Sequence, residues 1–275
     1  MKRNLLTVAI IAASAMGFSA CSNSYKTAEQ ASNPTSPVVA ESKNKDDRQA
    51  SWSYVGNTGP EYWGDVEGAT TCGIGQEQSP IDIKTVTASV KDAPTINYSQ
   101  SASLNINDNG HTIVYTPSTS ENTITINNEP FELQQFHYHT PSEHQFGSQH
   151  YPAEVHFVHA NSTGNLAVMG VMLTPGQSNE VVEILLNGTK VSAQNKTDFM
   201  ANNIDLSAII PAMPTFYHYE GSLTTPPCSE QVQWYVAKEP VELAPAQIAT
   251  MASLYEGNNR PVQPQNNRTV EQLSN

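Results

Sequence analysis

The sequence predicts a mainly β (α+β) single domain with small peripheral helices. Five segments alternate apolar and polar residues at period two, as half-buried strands do: residues 104–106, 112–115, 123–126, 131–138 and 154–159. Turn chemistry separates such runs at residues 108–110 (Asp-Asn-Gly) and 128–130 (Asn-Glu-Pro). Helical patterning is confined to residues 179–187 and 245–255. The strand pattern therefore dominates the chain.

The first twenty residues have the composition of an export signal. Two basic residues precede an apolar run from residue 5 to about residue 18, which is too short to span a bilayer. Residues 18–21 (Phe-Ser-Ala-Cys) resemble the bacterial lipobox, in which the Cys is lipidated, although Phe18 stands where Leu is usual. Ordinary signal cleavage nearby is the alternative, and Phe18 is bulky for that enzyme as well. We expect a lipoprotein-type signal over residues 1–20 and a lipid anchor on Cys21, which places the protein in the periplasm or another extracytoplasmic compartment.

Residues 21–50 predict a disordered tether, and residues 51–275 predict one folded domain. The first stretch is rich in Ser, Thr, Asn, Pro and charged residues, with too few large apolar side chains to offset the entropy of ordering. Aromatic and alternating apolar residues begin at Trp52. No later stretch has the composition of a linker.

The charge balance argues against a nucleic acid partner. Lys and Arg total 13 against 26 Asp and Glu, a formal charge of −13. Such a chain repels phosphates and anionic lipid headgroups. With 38% hydrophobic and 14% charged residues, the composition suits a folded domain with an uncharged polar surface.

Two cysteines remain once Cys21 is assigned to the anchor. In an exported chain, pairing of Cys72 with Cys228 is the default expectation, because oxidising compartments favour disulfides. The alternative is a pair of buried free thiols. We predict one disulfide.

Three histidines have the spacing of a metal site built on two strands. In Gln135-Phe136-His137-Tyr138-His139, residues 135, 137 and 139 share one strand face, and the same period places Glu154 beside His156. Three imidazoles with an open fourth position are the ligand set of a catalytic Zn²⁺ site. A ligating His usually donates its other N–H to an acceptor, and Gln135 and Glu154 are suitably placed.

The chain resembles the α-class carbonic anhydrases over nearly all of residues 52–268. The matching stretches are collinear: residues 59–63, 78–83, 109–111, 135–144, 153–159, 222–227 and 259–264. The resemblance, to the bacterial exported type, implies a large, mostly antiparallel twisted central sheet. It also implies reversible hydration of carbon dioxide to bicarbonate and a proton, by zinc-hydroxide attack with a His proton shuttle.

The resemblance assigns roles by motif position. It implies that His137, His139 and His156 bind zinc, that Gln135 and Glu154 support them, and that Asn258 supplies a further contact. Thr224 would accept a hydrogen bond from the zinc-bound hydroxide and donate its own proton to Glu143. A hydroxyl committed as a donor can only accept, which disfavours anions that have no proton to give.

Further positions match the substrate wall and the proton path of the family. The substrate-binding positions are Val158, Val168, Leu223, Thr225, Val232 and Trp234. The apolar ones among them suit carbon dioxide, although an ordinary core is built in the same way. His111 occupies the shuttle position, and Tyr54 and Asn109 match residues that order connecting waters. Val114 stands where many relatives carry Asn or Gln, so the water chain is expected to differ.

Two other functions are compatible with part of this pattern. Metal-activated hydroxide also attacks esters and phosphates, but a small apolar wall argues against these as the main substrates. A non-catalytic binding module on the same scaffold is disfavoured because all three zinc histidines are present. The remaining histidines are predicted to be surface or packing residues: His144, His150, His159 and His218. Analogy with bacterial relatives suggests a homodimer.

Overall fold

A computed structural model describes residues 52–274 of the chain. The predicted signal segment 1–20, the predicted anchor residue Cys21 and the predicted tether 21–50 lie outside the described residues. Within residues 52–274, no helix combines the length and apolar character needed to cross a membrane.

Strands dominate the described part of the chain, as the sequence predicts. They are β1 Asp82–Ile83, β2 Thr87–Ala88, β3 Thr95–Asn97, β4 Ala102–Asp108, β5 Ile113–Pro117, β6 Thr123–Ile126, β7 Glu129–His139, β8 Gln145–Phe146, β9 Gln149–His150, β10 Ala153–Ala160, β11 Leu166–Pro175, β12 Phe199–Ile204, β13 Phe216–Ser222, β14 Glu230–Ala237, β15 Val241–Leu243 and β16 Glu271–Leu273. The α-helices are α1 Thr71–Ile74, α2 Glu180–Asn195 and α3 Pro245–Leu254, and short 3₁₀ helices span Gly56–Thr58, Pro60–Asp65 and Leu206–Ile209.

One mixed sheet of thirteen strands forms the centre of the described domain, in the order β12-β4-β5-β7-β10-β11-β14-β13-β16-β2. Strand β15 pairs with β11, and β6 pairs with both β3 and β7. Only the pairs β11–β14, β11–β15 and β16–β2 are parallel within this described sheet. The predicted fold class, mainly β and mostly antiparallel, is confirmed.

The two faces of this sheet carry different clusters. One cluster packs beneath helix α2 and includes Phe136, Tyr138 and Phe157. The other contains Val168, Val232 and Trp234, with Val158 and Leu223 packed against it. The five apolar positions predicted for the substrate wall therefore belong to one cluster.

A β-bulge in β7 separates its metal-site half from its core-packing half. The register pairs Val158 with Gln135 and His159 with Leu133, so Gln134 has no partner on β10. The buried side chains change parity at this point, from Phe131 and Leu133 to Phe136 and Tyr138. A single inserted residue re-aims the side chains that follow it. The strand predicted for residues 131–138 is present, but its period-two pattern changes phase at this position.

Helix α2 begins at Glu180, one residue after the predicted start, and runs eight residues further than the predicted end at residue 187. Asn179 caps it by accepting hydrogen bonds from the backbone N–H groups of Val181 and Val182. Gly188 does not end the helix. A Cβ at Gly188 would lie 2.7 Å from Ile106 Cδ1, so the glycine permits close packing of the helix on β4.

Two smaller expectations are corrected at chain reversals. The turn before β7 is formed by Asn127 and Asn128, whose φ angles of 51° and 66° suit a tight hairpin, while Glu129 already belongs to the strand. Helix α3 ends at Leu254, one residue before the predicted end.

Candidate metal centre

The three predicted ligand histidines come together on adjacent strands. His137 and His139 lie on β7, and His156 lies opposite His137 on β10. One nitrogen from each ring lies within 4.8 Å of the other two. The ring centroids of His139 and His156 are 4.6 Å apart. The expectation that both strands aim their histidines at one point is confirmed.

Each ring has one nitrogen held by a neighbour. His137 Nδ1 lies 2.8 Å from Gln135 Oε1, and His139 Nδ1 lies 2.5 Å from the backbone oxygen of Asn258. His156 Nε2 lies 2.9 Å from Glu154 Oε1 at ion-pair distance, although the contact is not directed as a hydrogen bond. These partners orient the rings and leave His137 Nε2, His139 Nε2 and His156 Nδ1 for a metal.

The donor set fits Zn²⁺. His139 Nε2 is buried and has no hydrogen-bond partner among the described residues. Burial lowers the pKa of His139, and burial together with the neighbouring histidines holds the pKa of His137 well below its usual range. Neutral imidazoles with free lone pairs result, as a nitrogen-liganded zinc requires. For His156, burial opposes protonation, but Glu154 raises its pKa overall.

Glu154 belongs to a longer buried chain of hydrogen bonds. Its Oε2 accepts from the backbone N–H of Glu143 and of His144, each at 2.9 Å, and its Oε1 lies 2.8 Å from His144 Nδ1. His144 Nε2 lies 2.7 Å from the hydroxyl of Tyr219. Burial opposes ionisation of Glu154, but His144 and His156 keep its pKa well below its usual range. His144 was predicted to be a surface or packing residue, and Tyr219 was not singled out, because neither lies on the predicted ligand strands; both belong to this network instead.

Glu143 and Thr224 are both buried, but the bond expected between them is not formed here. Glu143 Oε1 accepts from the backbone N–H of Arg260 at 2.7 Å. Its Oε2 has no hydrogen-bond partner among residues 52–274 and lies 3.6 Å from His139 Nε2. The carboxylate therefore has one oxygen free to accept a proton donor beside the metal centre.

A cavity of about 110 Å³ opens onto the histidines. It is lined by Trp52, Tyr54, Asn109, His111, Thr112, Val114, Gln135, His137, His139 and Thr225. One cavity is thus lined by the predicted shuttle His111, by Tyr54 and Asn109, which are predicted to order water, and by the predicted ligands His137 and His139. Of the apolar wall positions, Val168, Val232 and Trp234 are at most 2% exposed, whereas Val158 and Leu223 are partly exposed.

His111 is stacked on an indole at the rim of this cavity. Its ring centroid is 3.6 Å from that of Trp52, with an interplanar angle of 7°. Burial lowers the pKa of His111 against an opposing effect of Asp108. Asn109 Oδ1 accepts the backbone N–H groups of His111 and Thr112, so only its amide nitrogen is left for solvent. Tyr54 packs edge-on against Trp52.

The predicted disulfide is present. Cys72 and Cys228 are bonded across a sequence separation of 156 residues. It joins α1 to the segment that follows Thr224, and it agrees with an oxidising, extracytoplasmic compartment.

Comparison with known proteins gives the family. Residues 58–274 match the family model described as "Eukaryotic-type carbonic anhydrase". The chain belongs to the α-class carbonic anhydrases. A carbonic anhydrase of Nostoc sp. is 39% identical over 86% of this chain and 88% of its own. One of Klebsiella pneumoniae is 40% identical over 80% and 89%, respectively. The α-carbonic anhydrase of Thermovibrio ammonificans, solved with the inhibitor sulfanilamide, matches with a TM-score of 0.73 and 37% identity over 80% of this chain and 98% of its own.

Proposed function

We propose that this protein catalyses the reversible hydration of carbon dioxide at a zinc ion held by His137, His139 and His156. The observation that carries the proposal is the convergence of three ring nitrogens whose opposite nitrogens are engaged by Gln135, Asn258 and Glu154. Zinc bound in this way lowers the pKa of its water to about 7, a general property of carbonic anhydrases.

The residues around the histidines have tasks that follow from their chemistry. Thr224, by donating to the free oxygen of Glu143, would present only lone pairs to the reacting oxygen and so orient it. The partly exposed side chains of Val158 and Leu223 offer an apolar surface for carbon dioxide, with Val168, Val232 and Trp234 packed behind them. Thr225 lines the cavity that contains His137 and His139.

His111 is proposed to carry the proton out of the cavity. It lines the same space as His137 and is partly exposed, so it can exchange protons with solvent. Tyr54 and Asn109 would order the intervening waters. Val114 also lines this space but has no polar group. The water chain therefore has one hydrogen-bond partner fewer than it would have with Asn or Gln at this position.

Stopped-flow carbon dioxide hydration with a pH indicator tests the proposal. We expect about one zinc per chain, rapid hydration, and loss of activity on removal of the metal by a chelator. A His139→Ala variant should lose zinc, whereas replacing the exposed His150 by Ala should not. Full activity in metal-free protein would refute the assignment.

We further propose that Cys21 anchors the protein to a membrane by a lipid and that the domain forms a homodimer. The lipobox-like residues 18–21 support the first proposal, and analogy with bacterial relatives supports the second. Mass spectrometry should find a lipid mass on Cys21, and sedimentation of a chain beginning at residue 51 should give twice the monomer mass. An unmodified Cys21 would refute the lipid anchor, and a monomer would refute the homodimer.

A further inference from the structure

The turn that carries His111 is held by two short polar side chains. Asp108 Oδ1 accepts the backbone N–H of Gly110 at 2.9 Å. Asn109 Oδ1 accepts the backbone N–H of His111 at the same distance. Contacts of this kind, from a side chain to the backbone two residues on, stabilise a tight turn. Gly110 has a φ of 85° and open space around it, so packing at this residue does not restrain the turn. The direction of the His111 ring therefore depends on what fixes the side chains of the turn.

Tyr255 holds this turn from outside. Its hydroxyl donates to Asp108 Oδ1, the same oxygen that accepts from Gly110. A hydroxyl that donates to a carboxylate forms one of the stronger hydrogen bonds in proteins. Burial raises the pKa of Tyr255, and Asp108 raises it further, so the hydroxyl keeps its proton and remains a donor. Asp108 itself is exposed, and without this donor its side chain would be free to turn towards water.

The segment of residues 255–258 follows helix α3 and also contacts the metal centre. Asn258 Nδ2 donates to the backbone oxygen of His111 at 3.2 Å, and the backbone oxygen of Asn258 lies 2.5 Å from Nδ1 of the predicted ligand His139. A change at Asn258 would therefore disturb a ligand and the turn together. Removal of the Tyr255 hydroxyl takes away a contact to the turn and leaves the ligand contact in place. Tyr255 is thus the residue at which the two effects can be separated.

We propose that Tyr255 is a positioning residue that keeps the His111 ring at the rim of the metal-centre cavity, stacked on Trp52. The proposal rests on the proposed function, in which His111 carries protons out of that cavity. The residues that line the cavity include neither Tyr255 nor Asp108, so Tyr255 acts through the turn and not on substrate. Without the hydroxyl, the turn loosens at Gly110 and the ring leaves the indole for part of the time. Proton transfer then slows, because it requires a correctly placed acceptor, while attack on carbon dioxide at the metal is unaffected.

Proton NMR of the histidine rings in the zinc-loaded protein measures this position without turnover. The ring centroids of His111 and Trp52 are 3.6 Å apart at an interplanar angle of 7°, so the ring current of the indole should move the His111 resonances upfield. The His111→Ala variant assigns these resonances. Tyr255→Phe should move them downfield, towards the positions of an unstacked histidine. Asp108→Ala removes the acceptor in place of the donor and should cause the same shift, which provides a second variant should Tyr255→Phe fail to fold.

Stopped-flow hydration of carbon dioxide gives a second readout. Tyr255→Phe should lower kcat about tenfold, since misplacing a reacting group by about an ångström can cost about a hundredfold. Both kcat/KM and the zinc content should stay at their wild-type values. In a His111→Ala background the same change should lower kcat no further. Tyr235→Phe is the matched control for both readouts and should change neither, because it also loses one hydroxyl hydrogen bond, to Gln233 Oε1 at 3.1 Å, but does not line the cavity.

Three results would overturn the proposal. The first is unchanged His111 resonances in folded Tyr255→Phe or Asp108→Ala protein. The second is an equal fall of kcat and kcat/KM in Tyr255→Phe, and the third is a further fall of kcat when the change is made in the His111→Ala background. Wild-type protein that does not hydrate carbon dioxide would instead refute the proposed function, and the resonances would still decide whether Tyr255 positions the ring.

Discussion

His159 should make the domain sensitive to mild acid. It is fully buried on β10, where its Nδ1–H donates to the backbone oxygen of Ala167 at 3.2 Å and its Nε2 accepts from the hydroxyl of Tyr98 at 2.7 Å. Burial lowers the pKa of His159 from 6.5 to about 4, against smaller opposing effects of backbone hydrogen bonds. Between these two pH values, His159 is therefore protonated in the unfolded chain but neutral in the folded chain.

The sign and size of the effect follow from proton linkage. The contribution of neutral His159 to stability is complete above pH 6.5 and is lost as the pH falls towards 4, at about 1.4 kcal/mol per pH unit. Between pH 7 and pH 5 the free energy of unfolding falls by about 2 kcal/mol, because His159 becomes protonated in the unfolded state while it is still neutral in the folded state.

Urea unfolding of the wild type and of His159→Gln at both pH values measures this contribution. The variant is expected to be less stable at pH 7, since it loses packing, but its stability should fall about 2 kcal/mol less on going to pH 5. A His150→Gln variant, which loses an exposed histidine, is the control. If the wild type and His159→Gln lose the same free energy between pH 7 and pH 5, within about 0.5 kcal/mol, burial of His159 does not govern acid stability.

Three further predictions concern the disulfide, the proton path and the support of the metal ligands. Replacing Cys72 and Cys228 by Ser should lower the free energy of unfolding by about 5 kcal/mol, because the disulfide closes a long loop and so reduces the conformational entropy of the unfolded chain. Urea unfolding measures this, and a midpoint equal to that of the wild type would contradict the prediction. His111→Ala should reduce kcat more than kcat/KM, and added imidazole buffer should restore part of the lost kcat. Because burial lowers the pKa of His111, wild-type kcat should persist below pH 6.5 before it declines, and a decline beginning above that pH would count against this histidine. Gln135→Ala should weaken zinc binding ten- to a hundredfold in competition with a chromophoric chelator, whereas Gln134→Ala, at the bulge, should leave it unchanged.

Local pattern was sufficient to predict the strands that carry the ligands. Alternation placed His137 and His139 on one face, and Glu154 and His156 on one face of the partner strand, because side-chain direction in a strand repeats every two residues. The bulge at Gln134 was not predicted. Its place is defined by pairing with β10, although the change of the apolar residues from odd to even positions across Gln134-Gln135 is a signal in the sequence that could have indicated it.

The supporting network around the ligands was only partly predictable. Gln135 and Glu154 precede their histidines by two residues, so strand geometry indicates them directly. His144 and Arg260 reach the centre from loops, through contacts that span 10 residues to Glu154 and 117 residues to Glu143. No periodicity in the chain encodes such contacts, and they follow only from the folded structure.

The pairing of His156 opposite His137 and of Glu154 opposite His139 means that the proposed zinc ion would favour the correct register of these two strands. A molecule that pairs these strands one residue out of step turns its imidazoles away from one another and offers no triad to capture a cation. Each tenfold excess of free metal over its dissociation constant then adds about 1.4 kcal/mol to correctly aligned molecules alone. If the protein binds zinc as proposed, metal starvation would remove this advantage, so zinc supply would influence how much of the protein stays folded.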